Sequence, residues 1–461
     1  VELRWGEIHF EPGQPVAVEI DTVAGRATIS ASEKTEIALR GRSPLQVPEG
    51  RHRIALAISD DERRILSGAL EDARPTTRPP TVNRHAGFTG MRPLQEFWRI
   101  DPEEDAEIRA VAGWNVADRS GRESVPRLLV CQGRKLKCYG PNSVIYWTFT
   151  TRRLVRCLAV ADLNGDGRPE ILCGGDDAHI HLLDQTGREL RAHRMVEQLI
   201  VGQGGTRQPF VNALLAGDFD GDGGIQIVAG CTNSQISMFD SEFNRIWNRG
   251  GIYHGVRKLM AADINANGRP EILAADHYGS VHVIAPNGDY LGRAYSELGD
   301  VAFDVGDIDG DGRMEIVNGS GTGVTAAIDS AFDTRWQFNN YSYNTRQVVC
   351  RDLNGDGKSE ILLASDTGYV YALDGAGKIW WQTDLGTAVV ALAARRVTED
   401  KTEFVAGLVS GDLVILNGLG KITATHPGSA PVKFVATVDH PDADAQQIVV
   451  VDTENRLRVL M

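Results

Sequence analysis

No apolar run in the 461 residues approaches the ~18 needed to cross a membrane as a helix, and the opening VELRWGEIHF is no secretory leader. The lysines and arginines form no basic stripe and are outnumbered by carboxylates, giving a net charge of −14, which argues against a nucleic-acid partner. Cysteine is sparse. Cys131, Cys138, Cys157, Cys173, Cys231 and Cys350 are scattered through apolar, strand-like segments, where they read as small core residues and not as a disulfide framework. There is no nucleophile elbow and no zinc spacing, and the glycine-rich GQGGTRQ opens no helix as a phosphate loop would.

What the chain has in abundance is one acidic pattern. ADLNGDGRPEIL places Asp162, Asn164, Asp166 and Glu170 around Gly167. An EF-hand loop would need a bidentate glutamate at its twelfth position, where Cys173 stands, and a helix on each side. The flanks LVRCLAVA and EILCGG are instead short apolar runs bounded by glycine, which predict a calcium-type loop joining two buried strands.

The pattern returns from Asp218, Asp263, Asp307 and Asp352, at intervals of 56, 45, 44 and 45 residues. A fixed period of this size marks a propeller or solenoid. Twenty-two residues after the first aspartate stand Asp184, Asp240, Asp329 and Asp374, and twenty-nine after it Trp247, Trp336 and Trp381. Weaker copies lie around Asp118, ending at Trp147, from about Arg395, and from Asp439, which makes eight units. The last unit runs out before its Trp strand, while LQEFWRI, with Trp98, precedes the first unit and belongs to none. Ring closure follows, with Trp98's strand completing the last blade. The expected fold is all-β: an eight-bladed β-propeller over residues 95–461, with seven blades as the alternative.

Residues 1–72 differ. PVAVEID, RATISAS, TEIALRG and GRHRIALAI alternate with period two, predicting a small β-sandwich; SDDERRILSGALEDA, capped by Ser59, predicts a short helix. Residues 73–94 read as a Pro, Thr and Gly-rich linker. A chain opening on Val1 is expected to be a mature product or a piece of something longer.

Calcium takes six to eight oxygen ligands, and a tight loop supplies alternate side chains plus a carbonyl where glycine permits the turn. Complete sets are read at Asp162, Asn164, Asp166 and Glu170; at Asp307, Asp309, Asp311 and Glu315; and at Asp352, Asn354, Asp356 and Glu360. Asp218, Asp220 and Asp222 are followed by Gln226, so that loop is expected to be weaker. The loop at Asp263, with Asn265 and Asn267, is expected to hold calcium least well.

These loops resemble the FG-GAP or VCBS repeats of the integrin α-subunit propellers, over residues 95–461. The resemblance implies structural calcium, in three to five sites, on the lower face of each blade.

The opposite face then carries the turns that enter each inner strand and those between second and third strands. An insertion, EQLIVGQGGTRQPFVNA, falls in one entering turn; RGGIYHGVRK and FNNYSYNTRQ are others. Tyr253, His254 and Arg257 are candidate catalytic residues, and Arg207, His277, Tyr278, Tyr341, Tyr343 and Arg346 candidate substrate-binding residues. Tyr, His and Arg on one mouth read as a carbohydrate- or protein-binding surface of a secreted or extracellular protein, periplasmic and cell-surface placements included. The alternative is a polysaccharide lyase, in which Tyr and His move protons and Arg neutralises a uronate carboxylate. Several lyase families use propellers with such residues, and the rhamnogalacturonan lyases resemble this chain in blade number and calcium loops, with no motif matched residue by residue. A structural segment of a large surface protein is the third reading.

Overall fold

The computed structural model describes residues 94–461, apart from 104–105, 118–123, 196–207, 253, 297–301, 399–400 and 441–442. Before residue 94 it describes strands by their backbone only. Eight four-stranded antiparallel units follow one another: blades 1 to 7 over residues 108–150, 155–194, 211–249, 258–295, 302–339, 345–384 and 389–426, and blade 8 over residues 432–460. Blade 8 receives its outermost strand from Glu96–Ile100, which pairs antiparallel with Leu457–Leu460. The propeller therefore has eight blades and is closed by the strand that precedes blade 1, as the position of Trp98 predicted.

The second and third strands are the most buried of each blade, wholly so at Glu360–Ser365 in blade 6 and Ser280–Ile284 in blade 4, whereas outermost strands such as Glu189–Arg194 and Thr334–Asn339 are largely exposed. Layers of Val, Ile and Leu from neighbouring blades interleave, so the core is a ring of inter-blade clusters. All six cysteines are buried and free.

The aspartate and tryptophan that recur in the sequence have separate tasks. Asp184 Oδ1 accepts from the backbone N–H of Thr186 and Arg188, closing the turn between the third and fourth strands; Asp240, Asp329 and Asp374 do the same. The tryptophan of one blade docks on that turn in the next. Trp147, Trp247, Trp336 and Trp381 donate from Nε1 to Gln185, Pro286, Gly375 and Gly418 carbonyls at 2.8–3.0 Å. The rings lie against Gly187, Gly288, Gly377 and Gly420, where a Cβ would come within 2.5–2.8 Å. Local sequence thus sets the stacking of blade on blade.

Upstream, Val16–Asp21, Arg26–Ala31 and Gly50–Ala55 form a three-stranded antiparallel sheet, and Leu3–Trp5 with Ile8–Phe10 and Thr35–Ile37 with Leu45–Val47 form two ribbons. The helix expected over 59–73 lies outside the described residues. In the segment read as linker, Thr81–Asn83 pairs parallel with the outer strand of blade 6, and Arg92–Pro93 with that of blade 7. With Glu96–Ile100 on blade 8, the chain covers three successive blade edges before it enters blade 1.

Candidate functional site

The five acidic loops each join the first strand of a blade to the second. In blade 2, Asp162 accepts from the Asp166 and Gly167 N–H groups at 3.1 and 2.7 Å, and Asn164 Oδ1 from Asp166 N–H at 2.8 Å. Gly167 and its four counterparts have φ of 79–87°, a left-handed turn that favours glycine. The buried Glu170 straps the loop: its carboxylate accepts from Leu163 N–H at 2.9 Å and from Asn164 Nδ2 at 2.8 Å. Glu271, Glu315 and Glu360 repeat the first of these bonds, and Gln226 Oε1 takes the same place at 2.8 Å in blade 3. A glutamine in place of glutamate thus keeps this bond, while its Nε2 donates to Asp220 Oδ1 and Gly224 O where Glu170 accepts from Asn164.

The donor sets fit a hard cation. Carboxylate oxygens of Asp218, Asp220 and Asp222 lie within 4.8 Å of one another, as do those of Asp307, Asp309 and Glu315, and either group could hold a metal ion. Burial, reinforced by Asp309 and Asp311 and opposed by the Ile308 N–H and Arg335, pushes the Glu315 carboxyl up to about 6. In blade 4 the Asn265 Oδ1 is enclosed and has no hydrogen-bond partner, although its amide donates to Glu271 at 2.6 Å. An oxygen so placed suits a cation ligand, in the loop expected to hold calcium least well.

On the opposite face, the structure brings His254 and Tyr278 together. His254 sits in the turn entering blade 4 with φ of 57°, and its Nε2 is 3.0 Å from the Tyr278 hydroxyl, the rings edge to face at 4.6 Å. Tyr278, 42% exposed, lies in the turn between the second and third strands, its N–H donating to Asp276. Asp276 also holds His282 at 3.1 Å, and burial of this carboxyl is outweighed by its hydrogen bonds, so it titrates below the usual range. His277 and Arg257 belong to the same blade end.

Two blades on, Arg346 forms a two-pronged pair with Asp366, both contacts at 2.8 Å, joined by Asn344 at 3.0 Å. Tyr341 is exposed, and burial together with the phenols of Tyr341, Tyr369 and Tyr343 pushes Tyr371 upward, which gathers those rings about one blade end. Tyr253 and Arg207 lie outside the described residues, as does most of the insertion. A cleft of about 430 Å³ lies between the outer parts of blades 2 and 3, lined by His193, Met195, Gln235, Phe239, Phe243 and Arg245 among others.

Part of one set of residues, to which the expected Arg257 and Arg346 also belong, was missed in the sequence. The first strand of six blades begins with a register shift, between Ile108 and Ala110, Val155 and Cys157, Val211 and Ala213, Thr345 and Gln347, Val389 and Ala391, and Val432 and Phe434. The residues in the shift are Arg109, Arg156, Asn212, Arg346, Val390 and Lys433. Arg257, whose N–H donates to Ala275 O, is their counterpart in blade 4. Arg156 pairs with Asp176, and Arg109 and Lys433 both pair with Glu107. The signal was an arginine or lysine second in IRA, VRC, VRK, TRQ and VKF, visible once the entering strands are aligned.

The FG-GAP-like repeat family matches residues 263–317, and the lambda-carrageenase beta-propeller domain family matches residues 341–430. The chain is thus a β-propeller carrying an FG-GAP-like repeat, as its loops implied. No curated protein matches it. Among solved structures, the V. cholerae biofilm matrix protein Bap1 is 13% identical with a TM-score of 0.58, covering 80% of this chain and 91% of its own. BamB from Moraxella catarrhalis is 16% identical at a TM-score of 0.54, covering 80% and 99%. BBS1N, from its complex with ARL6DN, is 11% identical at 0.52, covering 80% and 97%. At these identities the likeness is one of fold.

Proposed function

We propose that this is a secreted, calcium-stabilised propeller that binds carbohydrate through the face carrying His254, Tyr278, Arg257, His277, Tyr341, Tyr343 and Arg346. The observation that carries the reading is the gathering of exposed aromatic rings with imidazole and guanidinium groups at the ends of blades 4 and 6. Sugar rings stack on such aromatics while their hydroxyls meet the polar groups. The match of residues 341–430 to a carrageenase propeller supports a polysaccharide over a protein ligand. Calorimetric titration with a panel of polysaccharides tests it: micromolar to millimolar binding weakened by Tyr278→Ala is expected, and no binding to any member would sink the proposal.

The 3.0 Å contact between His254 Nε2 and the Tyr278 hydroxyl favours a second reading, a lyase. In β-elimination a base removes the proton α to a uronate carboxylate, the bond to the glycosidic oxygen breaks, and that oxygen takes a proton. A His–Tyr pair can carry both protons, and Arg257 would balance the carboxylate's growing charge. The unsaturated product absorbs in the ultraviolet. A rise in absorbance lost in His254→Ala would establish the lyase, and none on any uronate polymer would leave binding alone.

A further inference from the structure

The geometry points to a second saccharide site, a shallow cleft at the closure of the ring where Trp98, Gln447 and Asp439 meet the hydroxyls of one neutral sugar residue. The inference rests on the carbohydrate-binding reading and places this site on the face opposite the His254–Tyr278 pair.

At four boundaries the tryptophan of one blade is locked on the next by its indole N–H and a glycine. Trp98 stands at the same position of blade 8, opposite Val459, but blade 1 does not offer the matching turn. That turn is closed by Gly140 N–H donating to Val144 O at 2.8 Å, as Asp184 N–H donates to Arg188 O in blade 2. Pro141 is therefore the counterpart of Gln185, and Ser143 that of Gly187. Pro141 O accepts not from the indole but from Val144 N–H, at 3.4 Å. The Trp98 N–H is left without a hydrogen-bond partner among the described residues, although its ring lies 6.3 Å from that of Tyr139. In place of the lock there is a cleft of about 90 Å³, lined by Phe97, Trp98, Tyr139, Asn142, Asp439 and Gln447 among others.

The polar groups of the cleft are not spent on the fold. Gln447 is only 8% exposed, yet its carboxamide has no hydrogen-bond partner among the described residues, where a buried amide is ordinarily paired. Asp439 Oδ1 holds Arg396 and Gln446 at 2.5 and 3.1 Å, while its Oδ2 accepts from no described residue. The indole N–H donates, the carboxylate accepts and the carboxamide does both, which suits hydroxyls, since each of these donates and accepts. An apolar side chain in the cleft would leave all three groups unpaired. Arg127, the cation at this cleft, already lies over the Tyr146 ring and reaches Gln185 O, so the lining favours a neutral sugar over a charged one. The volume is below the ~150 Å³ that encloses a benzene ring, so one sugar ring enters by its edge and rests against Phe97, which is 44% exposed. Asp439 and Gln447 stand where the first strand of blade 8 ends and its second begins, on the face of the acidic loops. Blades 8 and 1 both lack the metal pattern there, and the cleft takes a place on that face that no calcium loop claims.

The test follows the indole nitrogen–proton resonance of Trp98 by NMR, assigned from Trp98→Phe, while the full, calcium-saturated chain is titrated with tetrasaccharides of agarose, cellulose and carrageenan. A neutral tetrasaccharide is expected to shift that resonance saturably, with the same midpoint in Tyr278→Ala, which disables the opposite face. Gln447→Met and Asn142→Gly should each raise the midpoint roughly three- to tenfold. Asn142 has φ of 58°, which glycine adopts freely, so the second variant keeps the turn and stands in should the first fail to fold. Melting temperatures establish that the variants fold. A Trp98 resonance that no tetrasaccharide moves, that moves with carrageenan alone, that ceases to move in Tyr278→Ala, or whose midpoint ignores both substitutions overturns the cleft. Calorimetric binding weakened by Tyr278→Ala would then leave the carbohydrate reading standing, and failure to bind any saccharide overturns both.

Discussion

Trp336 of blade 5 lies over Gly377 of blade 6, with its indole N–H 2.9 Å from Gly375 O, and one boundary earlier the bulk is reversed: Phe332 of blade 5 lies over Gly292 of blade 4. Blades 1, 3, 5 and 6 end in Trp and the next turn has glycine; blade 4 has glycine at the Trp position and the next turn supplies Phe332. Each of these five boundaries holds one large ring, contributed from one side or the other.

A second large group at such a boundary is therefore expected to be costly. Gly377 has φ of 75°, and a Cβ there would sit 2.6 Å from the Trp336 ring. Gly377→Ala is expected to lower the unfolding free energy by about 2–3 kcal/mol, from backbone strain plus overpacking. The double substitution Trp336→Gly with Gly377→Phe copies the blade 4–5 boundary and should recover part of what Trp336→Gly alone loses. Denaturant titration reads both; a double variant less stable than the sum of its parts would refute volume exchange as the rule.

The same elements show what the sequence made legible. Blade number, closure by Trp98, and the Asp and Trp positions could be read because each is fixed by contacts within a blade or to the next, so selection of residue type repeats with the period. Arg109, Arg156 and Lys433 were not singled out, because the residue type at their position varies from blade to blade and only the register shift shows that the positions are equivalent. His254 and Tyr278 were both picked out, but their pairing was not, since it joins turns 24 residues apart through a left-handed backbone at His254. Gln226 was read as a weakness of its loop; it proves to keep the loop's bond to Phe219 N–H.

His181 gives a dependence of stability on pH. It lies in the third strand of blade 2, with Nε2 at 3.0 Å from Asp177 and Nδ1 at 2.6 Å from Glu189. Burial pulls the imidazolium's pKa down, but the two carboxylates outweigh burial and the pKa is raised. The folded state thus holds the proton more tightly than the unfolded chain. The contribution is fully present below the unfolded pKa of about 6.5 and is lost as pH rises through the folded value. His193, whose pKa burial lowers, acts in the opposite sense over the neighbouring range. The informative quantity is the difference between the wild type and His181→Gln. That difference should shrink between mildly acid and alkaline pH; a difference constant with pH would show that His181 is neutral throughout.

Calcium should act through the loops one by one. Asp307, Asp309, Asp311 and Glu315 crowd one turn of blade 5, and Asp307 is fastened by Gly310 and Gly312 N–H groups at 2.6 and 2.9 Å. Without a cation their repulsion opposes folding; with one it becomes the site's affinity. A single site at a free calcium concentration about a hundredfold above its Kd adds about 2.7 kcal/mol to the folded state. Chelation of the wild type is therefore expected to lower Tm by several degrees. Asp307→Asn should remove one site's share of the calcium-dependent stability, while costing little or nothing in chelator because it relieves like charge. Asp263→Asn tests the sparser loop of blade 4: the enclosed, unpartnered Asn265 oxygen leads to a measurable loss there as well, in calcium only. Equal stability of the wild type in calcium and chelator would mean that the acidic loops stand on their backbone hydrogen bonds alone, with the carboxylates held by the N–H groups that now surround them and no cation in the fold.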